Sequence, residues 1–433
     1  MNNDKVSILQ SKDFLKDFEK ENVLPFREES VEEEFELKKD DFSASLDHEA
    51  FHGIAGKVVK MIEPHTEADN AALLINFLVG FGNLLGRQPH FVVESKKHHV
   101  RLFAALVGKT SKGRKGSSWG HIKRILERVD SGWALNQIKS GLSSGEGLIN
   151  QVRDELDEEE LRKSDKRLLV MEEEFATTLR AAERPGNTLT ALIRQAWDTG
   201  DIRTLTKIPL EATDSHISII SHVTKEELRR YLTSTEIGNG FANRFLWVIV
   251  QRSKVLPEGG KFHEENIDNL VEELNSIVKF SYQVGELKKD EQAREAWARV
   301  YEGLSEGVPG LVGAVTSRAE AQTMSLYALL DKSPVIRIEH LRAALAVWDY
   351  CFSSARYIFG QELGNPIDDD ILQALKQRKG NEGLTRTEIS KLFSNKRRKE
   401  ELDQAIKLLI DNSFVKILTE KTSGRPKEKL ILL

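Results

Sequence analysis

Residues 100–129 carry the sequence feature that most constrains the fold. Residues 100–107 form an apolar, partly β-branched run that is short enough to be a buried strand. A basic, glycine-rich stretch follows, Gly108-Lys-Thr-Ser-Lys-Gly-Arg-Lys-Gly-Ser-Ser118, and residues 119–129 then place their apolar side chains on one helical face. In a P-loop, a strand, such a loop and a helix are arranged so that loop N–H groups and the helix N-terminus face a phosphate. The sequence therefore predicts an α/β fold with a RecA/AAA-like P-loop NTPase core.

The glycine spacing of this stretch fits the P-loop pattern G-x-x-x-x-G-K-[ST], but the residues after the second glycine do not. Gly108 and Gly113 are correctly spaced, whereas Arg114 stands where the lysine is expected. A further glycine separates Lys115 from Ser117. Either the loop is one residue longer or Arg114 shares the work of the lysine. A basic surface loop that caps a helix is the alternative interpretation.

ATP and Mg²⁺ are the ligands that this stretch predicts. Lys115 would reach the β- and γ-phosphates of ATP, and Ser117 or Ser118 would bind Mg²⁺ through its hydroxyl. The candidate nucleotide-binding residues are Gly108, Gly113, Arg114, Lys115, Gly116, Ser117 and Ser118.

A second apolar run, residues 167–171, ends in three glutamates. A strand that delivers carboxylates at its C-terminal end is the Walker B arrangement, in which one carboxylate holds Mg²⁺ and another polarises the attacking water. Strand alternation predicts Glu172 and Glu174 on one face and Glu173 on the other. We therefore expect Glu172 and Glu174 to be catalytic, and Glu172 to join Ser117 in binding the metal. The alternative is a strand that runs out into a solvated acidic turn.

Two further catalytic candidates lie beside later strands. His222 follows a β-rich run, at the position where P-loop ATPases place a sensor for the γ-phosphate, whereas nearby Thr224 and Glu227 match a helix-capping box. Arg244 follows a turn with two glycines and precedes an apolar strand. Arg244 is therefore either a buried structural arginine or an arginine finger that acts on the nucleotide of a neighbouring subunit.

Charge is distributed unevenly along the 433 residues, although the formal net charge is only −5. Residues 1–50 contain 7 lysines and arginines against 15 acidic residues, and residues 371–433 contain 15 against 8. We predict an acidic, mobile arm over residues 1–45. The alternative for this arm is a docking segment for a partner protein.

The middle of the chain divides into a predicted core and a predicted lid. The core, with its first helices, spans residues 46–260, and a helical lid spans residues 261–362, with Arg318 as a candidate phosphate contact. Within the core, residues 89–94 and 100–107 are predicted to pair as a hairpin across a turn that contains two histidines.

Residues 366–433 show the pattern of a winged helix-turn-helix, three helices followed by two strands with a basic connection. Their basic side chains would face the phosphates of DNA. The candidate DNA-binding residues are Lys396, Arg397, Arg398, Lys399, Arg425 and Lys427. A winged helix can also dock proteins, and that alternative stays open.

Composition and apolar runs exclude some classes of protein and some kinds of site. The single cysteine, Cys351, excludes a disulfide within the chain and a cysteine-based zinc site. No apolar run approaches the roughly 20 residues that span a bilayer, and the N-terminus lacks the layout of a signal peptide. We expect a cytoplasmic protein with no membrane partner.

Residues from about 50 to 360 resemble a family of uncharacterised P-loop ATPases encoded by phages, plasmids and genomic islands, near or fused to primase-type modules. The motifs that carry the resemblance are Gly113-Arg-Lys-Gly-Ser-Ser-Trp119, Gly141-Leu-Ser-Ser-Gly-Glu-Gly147, Leu169-Val-Met-Glu-Glu-Glu-Phe175, Leu192-Ile-Arg-Gln-Ala-Trp-Asp198 and Asn239-Gly-Phe-Ala-Asn-Arg-Phe-Leu-Trp247. The acidic motif of the family, Glu-x-Glu-Phe, points to Glu172 and Glu174. We expect no primase domain within these 433 residues.

The sequence and the resemblance together imply an ATPase that acts on DNA as a homo-oligomeric ring, such as a hexamer. Its expected role is that of a helicase-like motor in the replication of a mobile element, with a primase or another replication protein as partner. The alternative from a different class is a non-catalytic DNA-binding regulator that has kept a degenerate P-loop.

Overall fold

The computed structural model describes most of the chain after residue 41. The described residues are 42–109, 113–154, 165–207, 209–262, 267–306, 315–317, 319–359, 366–378, 383–394, 397–411, 414–420 and 427–432. Contacts divide the chain into residues 44–433 and a short unit, residues 1–43, of which only Phe42 and Ser43 are described. The predicted arm and Arg318 therefore lie outside the described residues, apart from the last few positions of the arm.

Residues 44–433 contain both α-helices and β-strands. The α-helices are α1 (Gly53–Ile62), α2 (Asn70–Leu85), α3 (Lys115–Val129), α4 (Ser131–Asn136), α5 (Gly145–Asn150), α6 (Phe175–Ala182), α7 (Leu189–Asp198), α8 (Lys225–Tyr231), α9 (Ser234–Gly238), α10 (Asp268–Ser281), α11 (Glu291–Glu306), α12 (Glu320–Leu330), α13 (Ile338–Phe359), α14 (Pro366–Lys376), α15 (Arg386–Leu392) and α16 (Lys399–Asp411). The strands are β1 (His90–Val93), β2 (Lys96–His99), β3 (Phe103–Val107), β4 (Ile138–Lys139), β5 (Arg167–Glu172), β6 (Ile202–Arg203), β7 (Glu211–Ala212), β8 (His216–Val223), β9 (Phe245–Ile249), β10 (Glu286–Lys289), β11 (Val335–Ile336), β12 (Leu384–Thr385), β13 (Val415–Glu420) and β14 (Lys427–Leu432).

A five-stranded parallel sheet lies at the centre, in the order β4-β5-β8-β3-β9. Strands β3, β8 and β9 are buried at every residue, which explains their continuous apolar runs. The chain is thus a mixed α/β fold built on a parallel sheet, as the sequence predicted.

The connections of this sheet define one crevice. From β3 the chain passes through α3 and α4 to β4, at one edge of the sheet. From β8, the neighbour of β3, it passes through α8 and α9 to β9, at the other edge. The connections that leave the carboxyl ends of β3 and β8 therefore run in opposite directions across the sheet and, as right-handed crossovers, on its opposite faces. Ligands of open α/β sheets bind in the crevice between two such strand ends.

Helix α2 forms much of the core beside the sheet. It is apolar on nearly all sides and is buried from Ala71 to Leu85. It packs against β3, β5 and β8 and against α3. A helix that is hydrophobic all round is stable only when it is enclosed in this way.

The outer edge of β9 is covered by α13. Ile249 N–H donates to the Ser354 hydroxyl at 3.1 Å, and the Tyr350 hydroxyl donates to the Ile249 carbonyl at 2.8 Å. Two side chains of α13 therefore take the place of a neighbouring strand at this edge, where open N–H and C=O groups would otherwise invite pairing with another chain.

A second sheet corrects two predictions. Its order is β11-β10-β1-β2, with β1 parallel to β10 and antiparallel to β2. The hairpin therefore joins residues 90–93 to 96–99, and both histidines of the expected turn lie in β2. The actual turn is at Glu94, whose φ is 53°. The prediction that residues 261–362 are helical is wrong for β10 and β11, because β10 pairs with β1 and β11 pairs with β10 instead of extending a helix.

The last part of the chain contains α14, α15 and α16 and an antiparallel sheet in the order β12-β14-β13. Its apolar residues form their own cluster, which includes Ile371, Leu375, Ile389 and Leu409. The predicted succession of three helices and two paired strands is present, and the short β12 adds a third strand.

Candidate functional site

The glycine-rich loop leaves the carboxyl end of β3 beside the end of β8. Gly108 N–H donates to the carbonyl of Val223, the last residue of β8, at 3.2 Å. A β-carbon on Gly108 would lie 2.6 Å from the carbonyl oxygen of Val250, so only glycine fits between these strand ends. Residues 110–112 lie outside the described part of the chain, which resumes at the buried Gly113.

Lys115 is the first residue of α3, and its side chain bends back across the loop. Its Nζ donates to the carbonyl oxygen of Gly108 at 2.6 Å and lies 3.4 Å from that of Lys109. Burial lowers the pKa of Lys115, and the charge of Glu227 opposes part of that shift. Among the described residues, the hydrogen-bond acceptors of this ammonium are backbone carbonyls. Its charge is therefore available to an anion bound in the loop.

The two serines of the loop have different surroundings. Ser118 is fully buried, and its hydroxyl donates to the carbonyl of Lys115 at 2.6 Å and accepts from Nδ2 of Asn76 at 2.9 Å. Ser117 and Gly116 are exposed. Ser117 therefore offers the accessible hydroxyl, whereas Ser118 fastens α3 to α2.

Arg114 bonds to a carboxylate that lies 47 residues earlier in the chain. Its Nε donates to Glu67 at 2.6 Å, and Glu67 also accepts from Arg252 and from the N–H of Leu256. The bond from Arg252, followed by that from Leu256, lowers the pKa of Glu67 to about 2. In this structure Lys115 is the cation turned toward the loop carbonyls, whereas Arg114 is turned toward Glu67.

Strand β5 ends at Glu172, and this changes the expected geometry of the acidic residues. Glu172 is 7% exposed, and its carboxylate accepts the N–H of Leu142 at 2.6 Å and that of Gly141. Burial raises the pKa of Glu172, and these two bonds oppose the rise. Glu173 and Glu174 lie in the turn before α6, and both are exposed. The prediction that Glu172 and Glu174 share a strand face is wrong, because the strand stops at the first glutamate.

His222 lies at the carboxyl end of β8, opposite Leu106 of β3. Burial, and then the charge of Lys115, lowers the pKa of His222 to about 4, so the imidazole is neutral at pH 7. Its Nε2 is buried and makes no hydrogen bond to the described residues. The predicted capping box of Thr224 and Glu227 is present at the start of the next helix. A neutral ring nitrogen therefore stands beside Lys115 at the crevice.

Arg244 lies at the amino end of β9. The amino ends of the parallel strands, here called the amino edge of the sheet, lie opposite to their carboxyl ends, the carboxyl edge, where the loop is. Its Nη2 donates to both carboxylate oxygens of Asp198, at 2.9 and 2.7 Å, and its Nη1 donates to the carbonyl of Gly240. This is the paired arrangement that the sequence left open as the alternative to a finger. The length of β9, about 16 Å, separates Arg244 from the loop, so its guanidinium does not reach the loop of its own subunit.

The basic residues predicted to bind DNA lie only partly within the described chain. Lys396 and Arg425 lie outside it. Residues 397–399, Arg-Arg-Lys, stand at the start of α16 and are exposed. Lys427 is the first residue of β14.

One cluster of metal-binding residue types was not predicted from the sequence, because 279 positions separate His52 from Asp331. Nε2 of His52 and Nε2 of His340 lie 2.6 and 3.1 Å from the same oxygen of Asp331. Nδ1 of His340 accepts the N–H of Arg337 at 3.0 Å, so the ring proton of neutral His340 is on Nε2. A metal-bound histidine donates from the nitrogen that does not bind the metal. The cluster is therefore a hydrogen-bonded junction and does not fit a metal ion.

Comparison with known proteins adds no family to this description. No family model matches the chain, and no curated protein sequence matches it significantly. Among the described residues, no helix combines the length and the apolar character needed to cross a membrane.

Proposed function

We propose that the chain is an ATP-hydrolysing P-loop ATPase that acts on DNA. The observation that carries this proposal is the position of Lys115 and its loop at the crevice between the carboxyl ends of β3 and β8, from which the two connections run in opposite directions. Open α/β sheets bind ligands there, and the start of α3 adds a favourable helix dipole for phosphate. The proposed core is RecA/AAA-like, the proposed lid is mostly helical, and the proposed C-terminal domain is a winged helix-turn-helix.

The residues at the crevice fit ATP with Mg²⁺. Lys115 and the loop amides would hold the phosphates, and the exposed hydroxyl of Ser117 with the carboxylate of Glu172 would supply the oxygen ligands that Mg²⁺ prefers. When bound, the metal would neutralise the charge that develops on the phosphate oxygens. Glu174, exposed beside Glu172, would orient the attacking water. His222, neutral and beside Lys115, would contact the γ-phosphate as a sensor.

The proposed assembly is a ring, such as a hexamer. Arg244 stands at the edge opposite to the loop, so it could serve only the nucleotide of a neighbouring copy. A ring would bring the amino edge of one subunit to the carboxyl edge of the next. The resemblance described above extends the proposal to a helicase-like role in the replication of a mobile element, with a primase or another replication protein as partner, in the cytoplasm.

ATP turnover with and without single-stranded DNA tests the proposal directly. The protein should hydrolyse Mg·ATP, and DNA should change the rate. Lys115→Ala should weaken Mg·ATP binding by about 10²–10³-fold, because it removes a charge that faces phosphate in a water-poor site. Lys123→Ala is the matched control, since it removes an exposed lysine from the same helix. Unchanged binding by Lys115→Ala in a calorimetric titration would discard the loop as a nucleotide site.

DNA binding is expected at the exposed residues 397–399. If these three cations contact three phosphates, affinity for duplex DNA should fall about 40-fold between roughly 50 and 200 mM salt, because each contact releases counterions. Fluorescence anisotropy of the full chain would measure this slope. Replacing the three residues with alanine should flatten it, whereas Arg294→Ala with Arg299→Ala, two exposed arginines of α11, should not. A slope that the first substitution leaves unchanged would favour protein docking by this domain.

The non-catalytic regulator remains the second candidate. The observation that favours it is the irregular loop, in which Arg114 bonds to Glu67 and a glycine follows Lys115. DNA binding without ATP turnover under any condition would support it over the ATPase.

A further inference from the structure

Glu67 ties together segments that are distant in the sequence. Its carboxylate accepts Nε of Arg114 at 2.6 Å on one oxygen, and Nη2 of Arg252 with the N–H of Leu256 at 2.7 Å on the other. Its own carbonyl accepts the N–H of Ser253 at 3.0 Å. The side chain is only 8% exposed. One buried carboxylate therefore joins the glycine-rich loop to the segment that follows β9.

Among the described residues of the loop, Arg114 is the one with a left-handed backbone that is not glycine. Its φ is 48° and its ψ is 29°, the left-handed conformation, and no side-chain hydrogen bond caps the helix at this position. This conformation costs a residue other than glycine about 1–2 kcal/mol. The side chain is 42% exposed, so burial does little to hold it in place. Within the described part of the chain, the bond to Glu67 is the side-chain interaction of Arg114, and it offsets this cost.

The residue after Arg114 is Lys115. The left-handed turn at Arg114 sets the direction in which α3 starts and in which the Lys115 side chain crosses the loop to Gly108. An extended or right-handed Arg114 would rotate that direction. Any residue that fixes the backbone of Arg114 thus fixes the position of the ammonium.

We propose that Glu67 is a positioning residue for the nucleotide site: by holding Arg114 in the left-handed conformation, it aims Lys115 across the loop. The inference rests on the proposed function, since it takes the loop to be the phosphate site. Arg252 and Leu256 hold Glu67 from the other side, so the carboxylate stays in place independently of the loop. Two arginines around one carboxylate also leave a net positive charge beside the loop, which favours a bound polyanion.

A pair of substitutions at position 114 isolates the backbone effect. Arg114→Ala and Arg114→Gly both remove the bond to Glu67 and any contact of the guanidinium with phosphate. Only glycine adopts the left-handed conformation without cost. Arg114→Ala should therefore bind Mg·ATP about 5- to 30-fold more weakly than Arg114→Gly in calorimetric titration. Equal affinities would overturn the proposal.

Glu67→Gln tests the anchor itself. It should weaken Mg·ATP binding on the order of tenfold in the parental background and much less in the Arg114→Gly background, where no anchor is needed. Glu63→Gln is the matched control, because Glu63 bonds to Lys254 nearby without touching the loop. The same loss from Glu67→Gln in both backgrounds would mean that Glu67 supports the fold in general and does not act through Arg114.

Hydrogen exchange without nucleotide separates the failure of this inference from that of the proposed function. Glu67→Gln should raise the exchange of amides at residues 113–118, and Glu63→Gln should leave it unchanged. If the parental protein does not bind Mg·ATP, the proposed nucleotide site is wrong. The exchange difference would still show that Glu67 holds the backbone of the loop at Arg114. Unaltered exchange in Glu67→Gln would refute the anchor even if ATP binds.

Discussion

The carboxyl and amino edges of the five-stranded sheet use charged residues in opposite ways. At the carboxyl edge, Lys115 bonds to backbone carbonyls and Glu172 bonds to backbone N–H groups. At the amino edge, Arg244 grips Asp198 with two hydrogen bonds. A charged side chain that bonds only to backbone groups still attracts a ligand of opposite charge. Two side chains that are paired with each other largely cancel that attraction. In the proposed ATPase the carboxyl edge would therefore bind the ligand, whereas the ion pair at the amino edge stabilises the subunit.

The amino edge also contains a second arginine close to Asp198, the buried Arg101. Arg101 is 2% exposed and donates to the carbonyl of Trp197, and burial, followed by the charge of Arg87, lowers its pKa to about 9. The charges of Asp198 and Asp201 oppose that shift. If Arg244 left Asp198 for a phosphate, Arg101 would remain to stabilise the carboxylate. The difference between the two edges therefore holds only if Arg244 stays paired with Asp198 in the assembled protein.

The largest expected effect comes from Arg244→Ala. If Arg244 acts in trans, turnover should fall by about 10³–10⁵-fold, because a finger neutralises charge that builds on the γ-phosphoryl oxygens. A Lys115→Ala subunit, intact at Arg244, should restore part of that turnover when it is mixed with an Arg244→Ala subunit. Steady-state ATPase assays of the mixtures would measure the recovery.

Asp198→Asn is the control for this experiment. It breaks the pair with Arg244 but keeps the guanidinium, so a finger predicts that turnover persists, and a purely structural pair predicts a loss like that of Arg244→Ala. If the mixture of Lys115→Ala and Arg244→Ala subunits assembles but stays inactive, Arg244 does not act in trans. Its pair with Asp198 would then only stabilise the subunit.

The next largest expected effect comes from the glutamates at the carboxyl edge. Glu172→Gln and Glu174→Gln should lower turnover by about 10²–10⁴-fold with little change in nucleotide affinity, because a base or water-orienting group acts chiefly in the transition state. Glu173→Gln, which changes an adjacent exposed carboxylate, is the matched control. Parental turnover in both of the first two variants would remove these carboxylates from the mechanism.

Local patterns predicted the parts of the fold that depend on neighbours in the sequence. The apolar run at 100–107, the loop after it and the amphipathic helix to Val129 each carry their own signal, and the structure contains the strand and the helix nearly as expected. The capping box of Thr224 and Glu227 was predictable for the same reason, since its two members lie three residues apart.

Long-range pairing accounts for what the sequence did not predict. The short strand Glu286–Lys289 has little β character of its own and exists because it pairs with residues near 90. The bond between Glu67 and Arg114 leaves no sequence pattern, because nothing in the chemistry of either residue selects a partner 47 positions away. Which of Arg114 and Lys115 turns toward the loop carbonyls depends on that bond, so the sequence alone could not predict it.

The cover that α13 provides for β9 has a consequence for the newly made chain. The five strands of the central sheet are complete once residue 249 has been synthesised, but the hydroxyls that satisfy Ile249 belong to Tyr350 and Ser354, about a hundred residues later. During that interval Phe245–Ile249 is an apolar strand with one open edge, the kind of template on which unfinished chains aggregate. The nascent protein therefore passes through a vulnerable period that ends only when its longest described helix has emerged and docked.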